Sequence, residues 1–110
     1  MEPRLPGLSL ARVHTLALAL PEAIEAPHFQ RTSFRVRGKI FATAEGEHLH
    51  VFVGEQARSQ ALALYPGFIE KLPWGAKIVG LRIHLPRATE AVVAQLLRQA
   101  WSAKAPKALQ

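Results

Sequence analysis

The sequence predicts an α+β domain, with three helices packed on an antiparallel β-sheet in the order α-β-β-β-α-β-α. Three observations predict it. Apolar and polar residues alternate through residues 32–53, with glycine at the points where the chain must turn. Apolar residues recur at helical spacing before, between and after the strand-like stretches. Hydrophobic residues make up 49% of the 110 residues and charged residues 20%, which suits one packed core and one domain over residues 1–110.

The elements follow in order. Residues 1–8 contain two prolines and a glycine and read as a loose lead-in. Ser9 is placed to cap a first helix running to about Leu20, with Leu10, Val13, Leu16, Ala17 and Leu20 on one stripe. Pro21 ends it, and a short extended piece from Ala23 to Ala26 leads to Pro27. Thr32, Phe34 and Val36 then alternate with Ser33, Arg35 and Arg37, the pattern of a half-buried strand. Gly38 supplies a tight turn, and Ile40 to Ala44 returns as a second strand. After Glu45-Gly46-Glu47, a third strand from His48 to Val53 sets Leu49, Val51 and Val53 on one face and His48, His50 and Phe52 on the other. Gln56 to Tyr65 reads as a short helix stopped by Pro66-Gly67. Phe68 to Gly75 reads as irregular, Ala76 to His84 as a strand, and Thr89 to about Ala103 as a capped last helix. That helix buries Val93, Leu96, Leu97, Ala100 and Trp101, and residues 104–110 form a tail.

Composition excludes several chemistries. The sequence has no Cys, which removes thiolate catalysis, Cys-ligated zinc and disulfides. It has no Asp, which removes an Asp-based calcium loop and an Asp-containing triad. No G-x-S-x-G elbow, G-x-G-x-x-G or P-loop occurs. The apolar run Leu16–Leu20 is too short for a secretory signal, and no stretch is long enough to span a bilayer. The expectation is a cytoplasmic protein with no membrane partner, no cofactor and no metal.

A net charge of +6 favours an anionic partner. The charge concentrates in a basic hairpin, where Arg31, Arg35, Arg37 and Lys39 fall within nine residues. On a regular strand Arg35 and Arg37 share a face about 6–7 Å apart, a spacing suited to backbone phosphates. Ser33, on the same face, would add a hydroxyl contact. Other candidates are weaker. His48 and His50 share a face but lack a third ligand at a diagnostic spacing. Glu25, His28 and Ser33 would make a catalytic trio only if their side chains converge. Trp74, between Pro73 and Gly75, either closes one end of the core or lies exposed beside a binding site.

The stretch Pro27-His28-Phe29-Gln30-Arg31-Thr32-Ser33-Phe34-Arg35-Val36-Arg37-Gly38-Lys39-Ile40-Phe41-Ala42 resembles the central motif of the MmcQ/YjbR family. Leu18-Ala19-Leu20-Pro21-Glu22, Tyr65-Pro66-Gly67-Phe68, Ala100-Trp101 and Ala105-Pro106-Lys107 are similar to segments around that motif. The resemblance covers about Ser9 to Lys107. It implies a CyaY-like or secretion-chaperone-like fold. It also implies DNA binding of the "double wing" type, in which a saddle-shaped sheet carries two hairpin wings. One departure is that many members open the strand after the second helix's loop with a Trp. Here that strand contains Ile78-Val79-Gly80, and the nearby Trp is Trp74.

The expectation is therefore a non-enzymatic DNA-binding protein, with Arg31, Ser33, Arg35, Arg37 and Lys39 as its contacts and no residue assigned to catalysis. The rival is a module for a protein or small-ligand partner, marked by a basic face interrupted by Glu and by an apolar concavity. A further marker favours DNA: Arg12, Arg58 or Lys77 joining the hairpin charges on one surface.

Overall fold

A computed structural model describes residues 7–110. The elements are α1 (Leu10–Leu18), β1 (Ala23–His28), β2 (Arg31–Val36), β3 (Lys39–Glu45), β4 (His48–Val51), α2 (Glu55–Leu64), β5 (Ile69–Trp74), β6 (Lys77–His84) and α3 (Glu90–Lys104). The six strands form one antiparallel sheet in the order β1-β2-β3-β4-β6-β5. The α+β class with three helices holds. Among the described residues no helix is long and apolar enough to cross a membrane.

Two strands exceed the expectation. The short extended piece after Pro21 is the full strand β1, and the segment expected to be irregular contains β5. Both lie at sheet edges, and both contain a proline, Pro27 and Pro73, which an edge strand or a bulge tolerates. Neither shows an alternating burial pattern running its full length, so the period-2 signal is weak in both.

The helices share one face of the sheet. Val13 and Ala17 of α1 and Val93, Leu97, Ala100 and Trp101 of α3 join Phe34, Ala42, Leu49, Val51, Leu81 and Ile83 in a single core. The Ser9 side chain accepts from Arg12 N at 3.1 Å, which satisfies an otherwise orphaned helix donor. Trp101 donates its indole N–H to Pro21 O at 2.9 Å, fixing α3 against the chain that leaves α1. The ends of the described stretch are tied down. Leu8 N donates to Leu85 O at 3.0 Å; the rest of the expected loose lead-in, apart from Gly7, lies outside the described residues. The tail turns back, and the Gln110 amide donates to the carbonyls of Ser102 and Ala105.

Two bulges shape the face turned away from the helices. In β3, Phe34 pairs with Ala42 but Arg35 pairs with Ile40, which leaves Phe41 as the extra residue. Phe41 and Ala42 are both buried, and Ile40 and Thr43 line the same surface three residues apart. A regular strand would set those two on opposite faces. In the β5–β6 pair, Leu72 opposes Gly80 and Pro73 opposes Ile78, which leaves Val79 as the extra residue.

Candidate nucleic-acid interface

The hairpin is less available than its sequence suggests. β2 ends at Val36, and Arg37 and Gly38 both adopt positive φ, 51° and 80°. These two positive values are those of a tight hairpin turn of the primed kind. Arg37 therefore does not continue the strand, and the expected shared face with Arg35 is corrected. Its guanidinium binds Glu22 through two hydrogen bonds of 2.7 and 2.9 Å, and these hold the Glu22 carboxyl below its ordinary pKa. Arg31 donates to Glu45 at 2.6 Å. Ser33 is fully buried and donates to Ala26 O at 2.8 Å, so its hydroxyl cannot reach an outside phosphate. Arg35 donates to the Ser33 hydroxyl at 3.0 Å, and it has no carboxylate partner among the described residues. Lys39 is exposed beside the turn and is likewise free of any carboxylate.

The possible catalytic trio disperses. Glu25 pairs across the sheet with Phe34 on the helix side, where its carboxylate meets His14 Nδ1 at 3.1 Å. His28 and Ser33 belong to the opposite face, as their pairings with Arg31 and Thr43 require.

That opposite face has two unlike halves. One half holds Arg31, Glu45, His48, His50, Arg82 and His84. Cations and carboxylates alternate there: Arg31 with Glu45, and Arg82 with Glu70 at 3.3 Å. His50 is almost fully enclosed, and its Nε2 accepts from Arg82 Nε at 3.2 Å. An arginine only donates, so the ring proton sits on Nδ1. Burial, reinforced by the charges of Arg82 and Arg31, pushes the His50 pKa down to about 4. This half is thus a neutral ring and two partly neutralised arginines.

The other half is an open groove of about 410 Å³, lined by His28, Ile40, Thr43, Phe52, Trp74, Val79 and Lys104. Both bulges border it. The β3 bulge brings in Ile40, and the β6 bulge brings in Val79. Gly80 makes the floor possible. A Cβ there would lie 2.1 Å from Val51 O and 3.1 Å from Phe52 Cα, so only glycine lets β6 approach β4 this closely. Trp74, at the tip of the β5–β6 hairpin, is 79% exposed.

The rim of this groove is cationic. Arg35 pairs across from Ile40, whereas Lys39 pairs with the buried Val36 and so leaves its strand toward the helix side. Lys77 pairs across from Trp74, and Lys104 is itself a lining residue. Arg35, Lys77 and Lys104 have no carboxylate partner among the described residues, and no Glu lines the groove. Of the outlying cations Lys77 borders the groove, as Arg35 alone of the hairpin charges does. Arg12 is held by Glu90, and Arg58 donates to Val53 O. Sequence reasoning missed Lys104 and left Trp74 undecided. The glycine of Pro-Trp-Gly was the available signal, since Gly75 supplies the positive φ (62°) of a turn.

Comparison with known proteins agrees with this architecture. A family model described as YjbR matches residues 18–103. No curated protein matches the chain. Among solved structures, the crystal structure of Deinococcus radiodurans protein DR2400, with a DUF419 domain, superposes with a TM-score of 0.73 at 16% identity. The match covers 90% of this chain and 80% of that one. At that identity the likeness shows the fold.

Proposed function

The chain belongs to the YjbR family, and from that premise and the charged groove we propose that it binds DNA without catalysing a reaction. The observation that carries the reading is the set of three cations without carboxylate partners, Arg35, Lys77 and Lys104, around a groove that no acid lines. Phosphates are the natural complement of such a rim, because each neutralised phosphate releases a condensed counterion. Of the hairpin residues, Arg35 keeps its contact role in this reading, and Lys39 leaves its strand on the helix side, paired with Val36. Arg31 and Arg37 are engaged by Glu45 and Glu22, and Ser33 is enclosed. No helix is offered to a major groove on this face, so recognition rests on the backbone more than on base edges.

The test is fluorescence anisotropy of labelled DNA across a salt series. Affinity should fall steeply with salt, and each Ala substitution at Arg35, Lys77 or Lys104 should flatten the log–log slope by about 0.7–0.9. Absence of binding at low salt would refute the reading. A second reading, a module for a protein or small-ligand partner, has both of its markers: Glu45 and Glu70 interrupt the basic face, and Ile40, Phe52 and Val79 make the groove apolar. It predicts binding that is insensitive to salt.

A further inference from the structure

We infer that the strand held by this protein is single-stranded DNA, with a base entering the groove to stack on Trp74 while the rim cations hold the flanking phosphates; this rests on the DNA reading above. Three observations lead there.

The first is the shape of the site. It is an open, mostly apolar groove of about 410 Å³. In a duplex every base is already stacked and shows only its edge to the grooves, so no base face is offered to an exposed indole. A single strand offers the π-face of each base, which can leave its neighbours at little cost.

The second is the aromatic pair. Phe52 lies in the groove and Trp74 stands at its margin, 79% exposed. Trp101, by contrast, is 3% exposed, and its N–H is satisfied by Pro21 O. An indole left in water beside a hollow is a stacking surface without an occupant inside the chain.

The third is the arrangement of charge around those rings. Lys77 sits across the strand pair from Trp74, and Lys104 lines the groove with Phe52. Cations next to aromatic rings are the combination that single-strand sites use, with the charges on the backbone and the rings on the bases. In the half around Arg82 and His50, Glu45 and Glu70 instead occupy Arg31 and Arg82.

The experiment compares a twelve-nucleotide oligo(dT), the matching duplex and oligo(rU), by anisotropy and by tryptophan emission. Trp101 is buried, so a change in emission reports on Trp74. The expected result is quenching by oligo(dT) and at least ~10-fold tighter binding of oligo(dT) than of duplex at equal salt. Trp74→Ala should weaken oligo(dT) binding roughly 10-fold or more, and Trp74→Phe should restore much of the loss. Duplex binding that equals or exceeds oligo(dT) binding, with Trp74 emission unchanged, overturns the single-strand inference and leaves the DNA reading standing. Tighter binding of oligo(rU) than of oligo(dT) overturns DNA as the occupant. Binding of none of the three at low salt overturns the DNA reading itself. Both Trp74 variants should keep the wild-type circular dichroism spectrum, because the side chain lies outside the core.

Discussion

Replacing Gly80 with alanine should cost this small domain a substantial part of its stability. The new Cβ would stand 2.1 Å from Val51 O, about 0.9 Å inside the 3.0 Å that real Cβ contacts respect. The obstacle is backbone, so no side-chain rotation relieves it. β4 cannot withdraw easily, because Val51 pairs with Ala42 on one side and Leu81 on the other, and all three are fully buried. Overpacking of this kind costs about 3 kcal/mol, at the upper end of the usual range. Removing a glycine from the unfolded chain returns about 0.4–1 kcal/mol. The net loss is then about 2 kcal/mol, which lowers the midpoint of a domain this size by roughly 10 °C. Thermal unfolding followed by circular dichroism measures it. Gly67→Ala is the control, since nothing lies within 4 Å of that Cβ and its φ is ordinary; it should hold or raise the midpoint. A Gly80→Ala midpoint within about 2 °C of wild type would refute the close-approach argument.

Two further outcomes follow from the geometry. His50 has its folded pKa depressed to about 4 from an ordinary 6.5, so the unfolded chain binds more protons between those values. Its neutral form contributes stability that is fully present above about pH 6.5 and is lost as pH falls toward 4, roughly 2 kcal/mol over the window. Urea unfolding of wild type and His50→Gln at pH 7.5 and 4.5 should show the wild type losing more on acidification, and equal losses would sink the argument. Arg37→Ala should leave the salt slope of DNA binding almost unchanged, because Glu22 already occupies the guanidinium, whereas Arg35→Ala should flatten it. Equal effects of the two substitutions would contradict the assignment.

How much of this was legible in the sequence differs by element. The meander from β2 to β4 was readable because Thr32 to Val36 and His48 to Val53 alternate cleanly, and one face of each strand meets the core. The Ser9 cap and the buried stripe of α3 were readable for the same kind of reason. β1 and β5 were not, since edge strands bury little and their prolines mimic loop signals. The hairpin charges were visible, but their partners were not. Glu22 and Glu45 lie 15 and 14 residues from Arg37 and Arg31, and only the folded chain brings them together. Arg37 fell outside the strand pattern because the turn took it as its first positive-φ residue, a position usually left to Asn, Asp or Gly. The groove was the least legible feature. Ile40, Phe52, Trp74 and Lys104 come from four separate segments, and Ile40 and Val79 owe their places to bulges that no periodicity announces.

The central claim is that the groove half of the sheet face, and not the Arg82–His50 half, receives DNA. Amide chemical-shift mapping of the labelled protein with oligo(dT) tests it most directly. The largest changes are expected at Arg35, Ile40, Phe52, Trp74, Lys77 and Lys104. Changes centred instead on Arg31, His48, Arg82 and His84, or on the exposed sides of α1 and α3, would contradict it.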